Sequence, residues 1–117
     1  MSTPLKNIEQ ILKKVHTLLD DNKFRILDKR QKNMATFAAL GLTPSDVPDI
    51  LRELTYKNYA KGPEDDRNTS DRQCIWVFGY HFEDDEIYIK LKITEDNLLN
   101  ISFHIAEHPL KYPYTSC

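Results

Sequence analysis

The chain has little cysteine, little glycine and no long apolar run. Only Cys74 and Cys117 occur among 117 residues, one beside a predicted strand and one at the end. That is no disulfide framework, so a reducing, cytoplasmic setting is expected. There is no CxxC and no His/Cys cluster with zinc spacing, so no metal ligands are assigned and no cofactor is expected. The three glycines build no Walker loop and no GxSxG elbow. The start, MSTPLKNIEQ, carries no long apolar run, so neither a signal peptide nor a membrane span is expected. Excess positive charge is also missing, since the formal net charge is −2. That balance argues against broad non-specific nucleic-acid binding, which leans on many phosphate contacts.

What is present suits one soluble globular domain over residues 1–117, with 40% apolar and 29% charged residues. Charge is uneven along it. Residues 1–33 hold eight Lys/Arg against four acids, whereas residues 34–117 hold eight against fourteen. A basic first third can meet phosphates, and it can equally be a solvated helix face. Leu5, Ile8, Ile11, Leu12, Val15, Leu18 and Leu19 recur at helical spacing. NKFRIL (22–27) reads as a short strand, and NMATFAAL (33–40) as a helix stopped by Gly41. TPSDVPDILREL opens with Thr43 as N-cap, Pro44 at the first helical position and Asp46 as capping-box acid. Residues 1–54 are thus mainly helical. Residues 55–72 are polar and without period, a loop of a length that is usually functional or disordered. Residues 73–114 hold three strand-like runs, 74–82, 86–94 and 98–105, and a tail. The expected class is α+β, with amino-terminal helices packed on a small antiparallel sheet.

A three-residue loop at 95–97 pairs Thr94 with Leu98 and Leu91 with Ile101, and likewise Ile89 with Phe103 and Ile87 with Ile105. One-residue slippage would set Asn100 against an isoleucine. The opposite face then carries Lys92 with Asn100, Lys90 with Ser102, and Tyr88 with His104. For the preceding hairpin, a loop at 83–85 puts Trp76, Phe78 and Tyr80 on this polar face. A loop at 84–85 puts them in the core, and the pattern does not choose.

Tyr88, Lys90, Ser102 and His104 therefore share a patch. Cleaving RNA without a metal needs a base for the 2′-hydroxyl, an acid for the leaving 5′-oxygen and a cation for the phosphorane. Histidine suits the proton transfers and lysine the charge, while tyrosine donates a hydrogen bond or stacks on a base. Tyr59, Lys61 and Arg67 of the long loop can close over a strand of RNA. The plainer alternative is an ordinary solvated sheet face. His108, in an extended tail before Pro109, carries a weaker signal, and His16 and His81 are assigned no role.

LTYKNYAKGPEDDR (54–67), IWVFGYHFEDDEIYIKLKI (75–93) and ISFHIAEHPLKYPY (101–114) together resemble the MqsR family of bacterial toxins, which share the RelE-like fold. The resemblance implies an endoribonuclease (mRNA interferase) that cleaves mRNA without a metal, and a cognate antitoxin as partner. Carried over by position, Lys61 and Tyr88 match family residues, with Lys90 following. His104 stands where other members have a lysine, and Val77 where they have a glutamine. Catalytic candidates are Lys61, Tyr88, His104 and His108. Tyr59, Arg67, Trp76, Lys90 and Lys92 are the RNA-binding candidates. Which group is acid and which base stays open. A non-catalytic RNA-binding regulator, or an antitoxin-binding relative without activity, is the alternative.

Overall fold

The computed structural model describes residues 3–115, so Cys117 lies outside the described residues. Helix α1 (Leu5–Asp20) has no side-chain cap and no acid in its first turn. Packing holds it instead. Ile8, Leu12, Val15, Leu18 and Leu19 are buried, each contributing roughly 1.5–3 kcal/mol, which outweighs the absent cap at about 1 kcal/mol. Strand β1 (Phe24–Ile26) follows, then helix α2 (Gln31–Leu40). Gly41 ends α2 at φ 68, the left-handed position glycine adopts without strain. The expected capping box is present as Thr43 N–H donating to Asp46 Oδ2 at 2.8 Å. It opens a 3-10 turn (Pro44–Asp46) and then helix α3 (Val47–Glu53).

The stretch 55–72 is not an irregular loop throughout. It contains a 3-10 turn (Tyr56–Asn58) and strand β2 (Tyr59–Glu64), leaving 65–74 as the loop proper. The pattern hid β2 because its pairing with the next strand shifts register twice and its sequence holds Gly62-Pro63. A Cβ at Gly62 would lie 2.6 Å from the Ile75 carbonyl oxygen, so only glycine lets the strands approach there. Strands β3 (Ile75–Phe82), β4 (Asp85–Ile93) and β5 (Leu98–Ile105) form the meander. The sheet order is β1-β5-β4-β3-β2. It is mixed rather than purely antiparallel, because β1 runs parallel to β5.

One register left open is decided, and one expected register needs correction. The β3–β4 turn is the two-residue Glu83-Asp84, since Phe82 pairs with Asp85. Glu83 takes φ 55 without the glycine or asparagine that signals such turns. This register sends Trp76, Phe78 and Tyr80 to the helix-covered face, opposite Leu91, Ile89 and Ile87. The β4–β5 pairing holds at Ile87–Ile105, Tyr88–His104, Ile89–Phe103 and Lys90–Ser102, and then slips. Leu91 pairs with Asn100, Lys92 with Leu99 and Ile93 with Leu98, so Ile101 is an extra residue, a β-bulge. Asn100 is fully buried. Its Nδ2 donates to the carbonyls of Lys90 at 3.1 Å and Ser102 at 2.8 Å. A carboxamide replaces ladder bonds that the bulge disrupts, which an apolar alternation cannot anticipate. Ile105 is also more open than expected, at 36% exposure.

The outer edge of β5 is covered in two ways. β1 covers Leu98 to Asn100. Beyond that, α2 supplies side chains: Asn33 Oδ1 accepts from Phe103 N–H at 2.9 Å, and Thr36 Oγ1 from Ile105 N–H at 3.0 Å. Asn33 Nδ2 donates to the carbonyls of Leu27 at 2.8 Å and Ile101 at 3.1 Å. Phe37 stacks on Phe103 with centroids 5.5 Å apart. Replacing Asn33 with Ala would strand these buried groups, at an expected cost of about 2–4 kcal/mol in urea unfolding. A loss below about 0.5 kcal/mol would mean that this edge is held some other way.

Candidate active site

The sheet face away from the apolar core is not fully open. Two coverings divide it and leave a cleft between. The first covering is the 65–74 loop. Lys92 Nζ lies 2.8 Å from Asp66 Oδ2 and 2.7 Å from Asp71 Oδ2. Hydrogen bonding to Lys92 is the main cause that holds both carboxyls below their ordinary range, and it pushes the ammonium up.

The second covering is the tail after β5. Glu86 on β4 receives it: Leu110 N–H donates to Oε1 at 3.1 Å and the Tyr112 hydroxyl to Oε2 at 2.6 Å. Burial first, then Glu86, pushes the Tyr112 phenol up, so it stays a donor. Gly79 makes the space, because a Cβ there would meet the Tyr112 hydroxyl oxygen at 1.9 Å.

Between the coverings lies a cavity of about 570 Å³. Its floor is Tyr88 and Lys90 of β4 with Ser102 and His104 of β5. One wall is the first turn of α2, with Arg30 and Lys32, and the other is the tail from Glu107 to Leu110, with His108. Tyr88 and His104 stack with centroids 5.2 Å apart and planes 18° from parallel. Burial, then the charge of Glu64, pushes the Tyr88 phenol up, so it remains protonated at neutral pH. His104 Nδ1 lies 3.0 Å from the Ile105 carbonyl. A carbonyl oxygen only accepts, so that bond needs the proton on Nδ1, and in the neutral ring Nε2 then carries the lone pair. Lys32 Nζ meets both Glu107 oxygens, at 3.0 and 3.1 Å, and so links the two walls.

Tyr88, Lys90, His104 and His108 thus come together. Lys61 is exposed on β2, opposite Val77, which in turn faces Lys90. Two strand spacings put Lys61 roughly 10 Å from Lys90 along the sheet. Arg67 is exposed on the loop and does not line the cavity. Three expected RNA contacts, Tyr59, Trp76 and Lys92, do not line this cavity. Tyr59 is 3% and Trp76 5% exposed, and they pack edge-on with centroids 6.2 Å apart. Both belong to the apolar core, where the two-residue β3–β4 turn sets Trp76 opposite Leu91. Lys92 is taken up by Asp66 and Asp71. Arg30, Lys32 and Glu107 were not singled out as site residues. The first two belong to the basic amino-terminal third, whose charge was the only signal.

These features define a class: a small α+β protein whose sheet carries a histidine-bearing, cation-rimmed cleft. A family model described as motility quorum-sensing regulator, toxin of MqsA, matches residues 9–105. The chain belongs to this MqsR toxin family, whose members are toxins of toxin–antitoxin modules. Comparison with curated proteins finds no match. Among the described residues, no helix is long and apolar enough to cross a membrane.

Acid should release the loop. Asp66 and Asp71 titrate below the ordinary 3.8 in the folded state. Their stabilisation is therefore present above that value and lost as pH falls through the lowered folded values. The Asn68 amide, which donates to Asp66 Oδ1 at 2.9 Å, should keep its NMR shift at pH 5 and move only below about pH 4. Movement between pH 5 and 7 would contradict the Lys92 anchor.

Proposed function

We propose that the protein is an mRNA interferase, an endoribonuclease that arrests growth and is neutralised by a cognate antitoxin. The observation that carries this is His104, stacked on Tyr88 beside Lys90 and across the cleft from His108. Family membership supports the toxin role and an antitoxin partner.

The reaction follows from the side chains. His104 Nε2, left with its lone pair, takes the proton of a 2′-hydroxyl. The freed oxygen attacks the adjacent phosphorus and the bond to the 5′-oxygen breaks. Lys90 and the Tyr88 hydroxyl offset the charge of the phosphorane. His108, protonated, gives its proton to the leaving 5′-oxygen. The products are a 2′,3′-cyclic phosphate and a 5′-hydroxyl. Lys61 holds the strand two β-strands away, and Arg67 meets it at the outer loop. Tyr59, Trp76 and Lys92 have no part, because they are buried or already paired.

Purified protein should cut single-stranded RNA and leave those two ends, which mapping of 5′ termini detects. His104→Ala and His108→Ala should each lower the rate about 10²–10⁴-fold, and Tyr88→Phe about 10²-fold. Lys61→Ala should mainly weaken binding. Induced expression should stop growth, and co-expression of the antitoxin should restore it. RNA that is retained but never cut would point instead to a non-catalytic regulator. Full cleavage by all four variants would sink the site assignment.

A further inference from the structure

The cleft contains a carboxylate where an anionic substrate would not want one. Among the described residues that line it, Glu107 is the single acid, set against Arg30, Lys32, Lys90 and two histidines. Its two oxygens lie 3.0 and 3.1 Å from Lys32 Nζ, so one ammonium holds both oxygens of an anion, as a lysine can hold a phosphate by its point charge. Both side chains are well exposed, 63% for Lys32 and 60% for Glu107. Exposed ion pairs contribute little to stability, so exchanging one anion for another here is cheap.

Arg30, beside it, is already positioned. Its Nη1 donates at 3.2 Å to the Ile101 carbonyl at the β5 bulge, which also accepts from Asn33. Among the described residues it makes no ion pair. Its remaining donors are therefore unmatched by any carboxylate.

We propose that Lys32 and Arg30 form a backbone-phosphate seat for RNA, and that Glu107 occupies the Lys32 half of it as a displaceable internal anion. This rests on the cleft binding RNA, as proposed above. Entry of a strand moves the Glu107 carboxylate off Lys32, and a phosphate oxygen takes its place. Hydrogen bonding to Lys32 holds the Glu107 carboxyl below its ordinary range, so it is an anion at physiological pH. Because Glu107 directly precedes His108, the same displacement frees the tail wall next to the proposed acid.

The test is anisotropy binding of a single-stranded 2′-O-methyl RNA, which lacks the nucleophile and cannot be cut. Glu107→Gln should tighten binding about two- to fivefold. Lys32→Ala should weaken it and reduce the slope of log Kd against log salt by about 0.7. The double variant should match Lys32→Ala, with the gain abolished. Arg30→Ala should reduce the slope similarly but keep the gain from Glu107→Gln. Thermal unfolding of each variant confirms that it folds. A gain that persists without Lys32 would reduce Glu107 to a general charge effect and overturn the proposal, as would no gain at all. If unmodified RNA is cut yet these variants bind alike, the seat alone is wrong. If wild-type protein binds no RNA, the seat and the nuclease function fall together.

Discussion

The edge contact between α2 and β5 is the constraint on which the rest of this structure depends. Asn33 acts as an adaptor, accepting from Phe103 N–H and donating to the carbonyls of Leu27 and Ile101. It sits where β1 ends and would otherwise leave strand groups unpaired in a dry environment, a cost of several kcal/mol. With Thr36 on Ile105 N–H and Phe37 on Phe103, it sets the height and rotation of α2 on the sheet. That placement brings Arg30 and Lys32 over the same strand that carries His104. The floor and one wall of the cleft are thus joined through a buried carboxamide rather than through the residues that would meet a substrate.

The other constraint is the partition of the sheet face. A negatively charged chain cannot present a broad cationic surface, and this one does not. Lys92 is neutralised by two aspartates, and Lys32 by Glu107. Positive potential is left at Arg30 and Lys90, next to the histidines. In a cleft with protein walls such charges act more strongly than on an open face. The loop over Lys92 and the tail over Glu86 thereby set the limits of the cleft.

Much of this was legible in the residues. The helical spacing of α1, the Thr43 capping box and the Gly41 stop are local signals, and each was realised. The Tyr88–His104 pair followed from apolar alternation in two strands, and it survived because the extra Ile101 offsets a turn one residue longer than expected, with Ile93 paired to Leu98. What stayed hidden was non-local or broke a pattern. Asn100 looked unfit for the core because its value there comes from carbonyls that only the bulge leaves short of donors. β2 was masked by Gly62-Pro63 and by its two register shifts. Trp76 was misplaced because a two-residue turn formed without its usual glycine. His108 could not be located until Gly79 and Glu86 were seen to draw the tail back over the sheet.

The manner in which β5 is covered bears on how copies of this protein behave at high concentration. A strand edge capped by helix side chains has no free ladder to which a second sheet can attach. β1 leaves only three residues at one margin, with exposed Arg25 at their centre. β2, at the other margin, is interrupted by a proline and two shifts of register. Short, charged or broken edges are the means by which sheets resist fibrous stacking. The irregularities that made this sheet hard to foresee are also what leave it few regular edges on which another sheet could build.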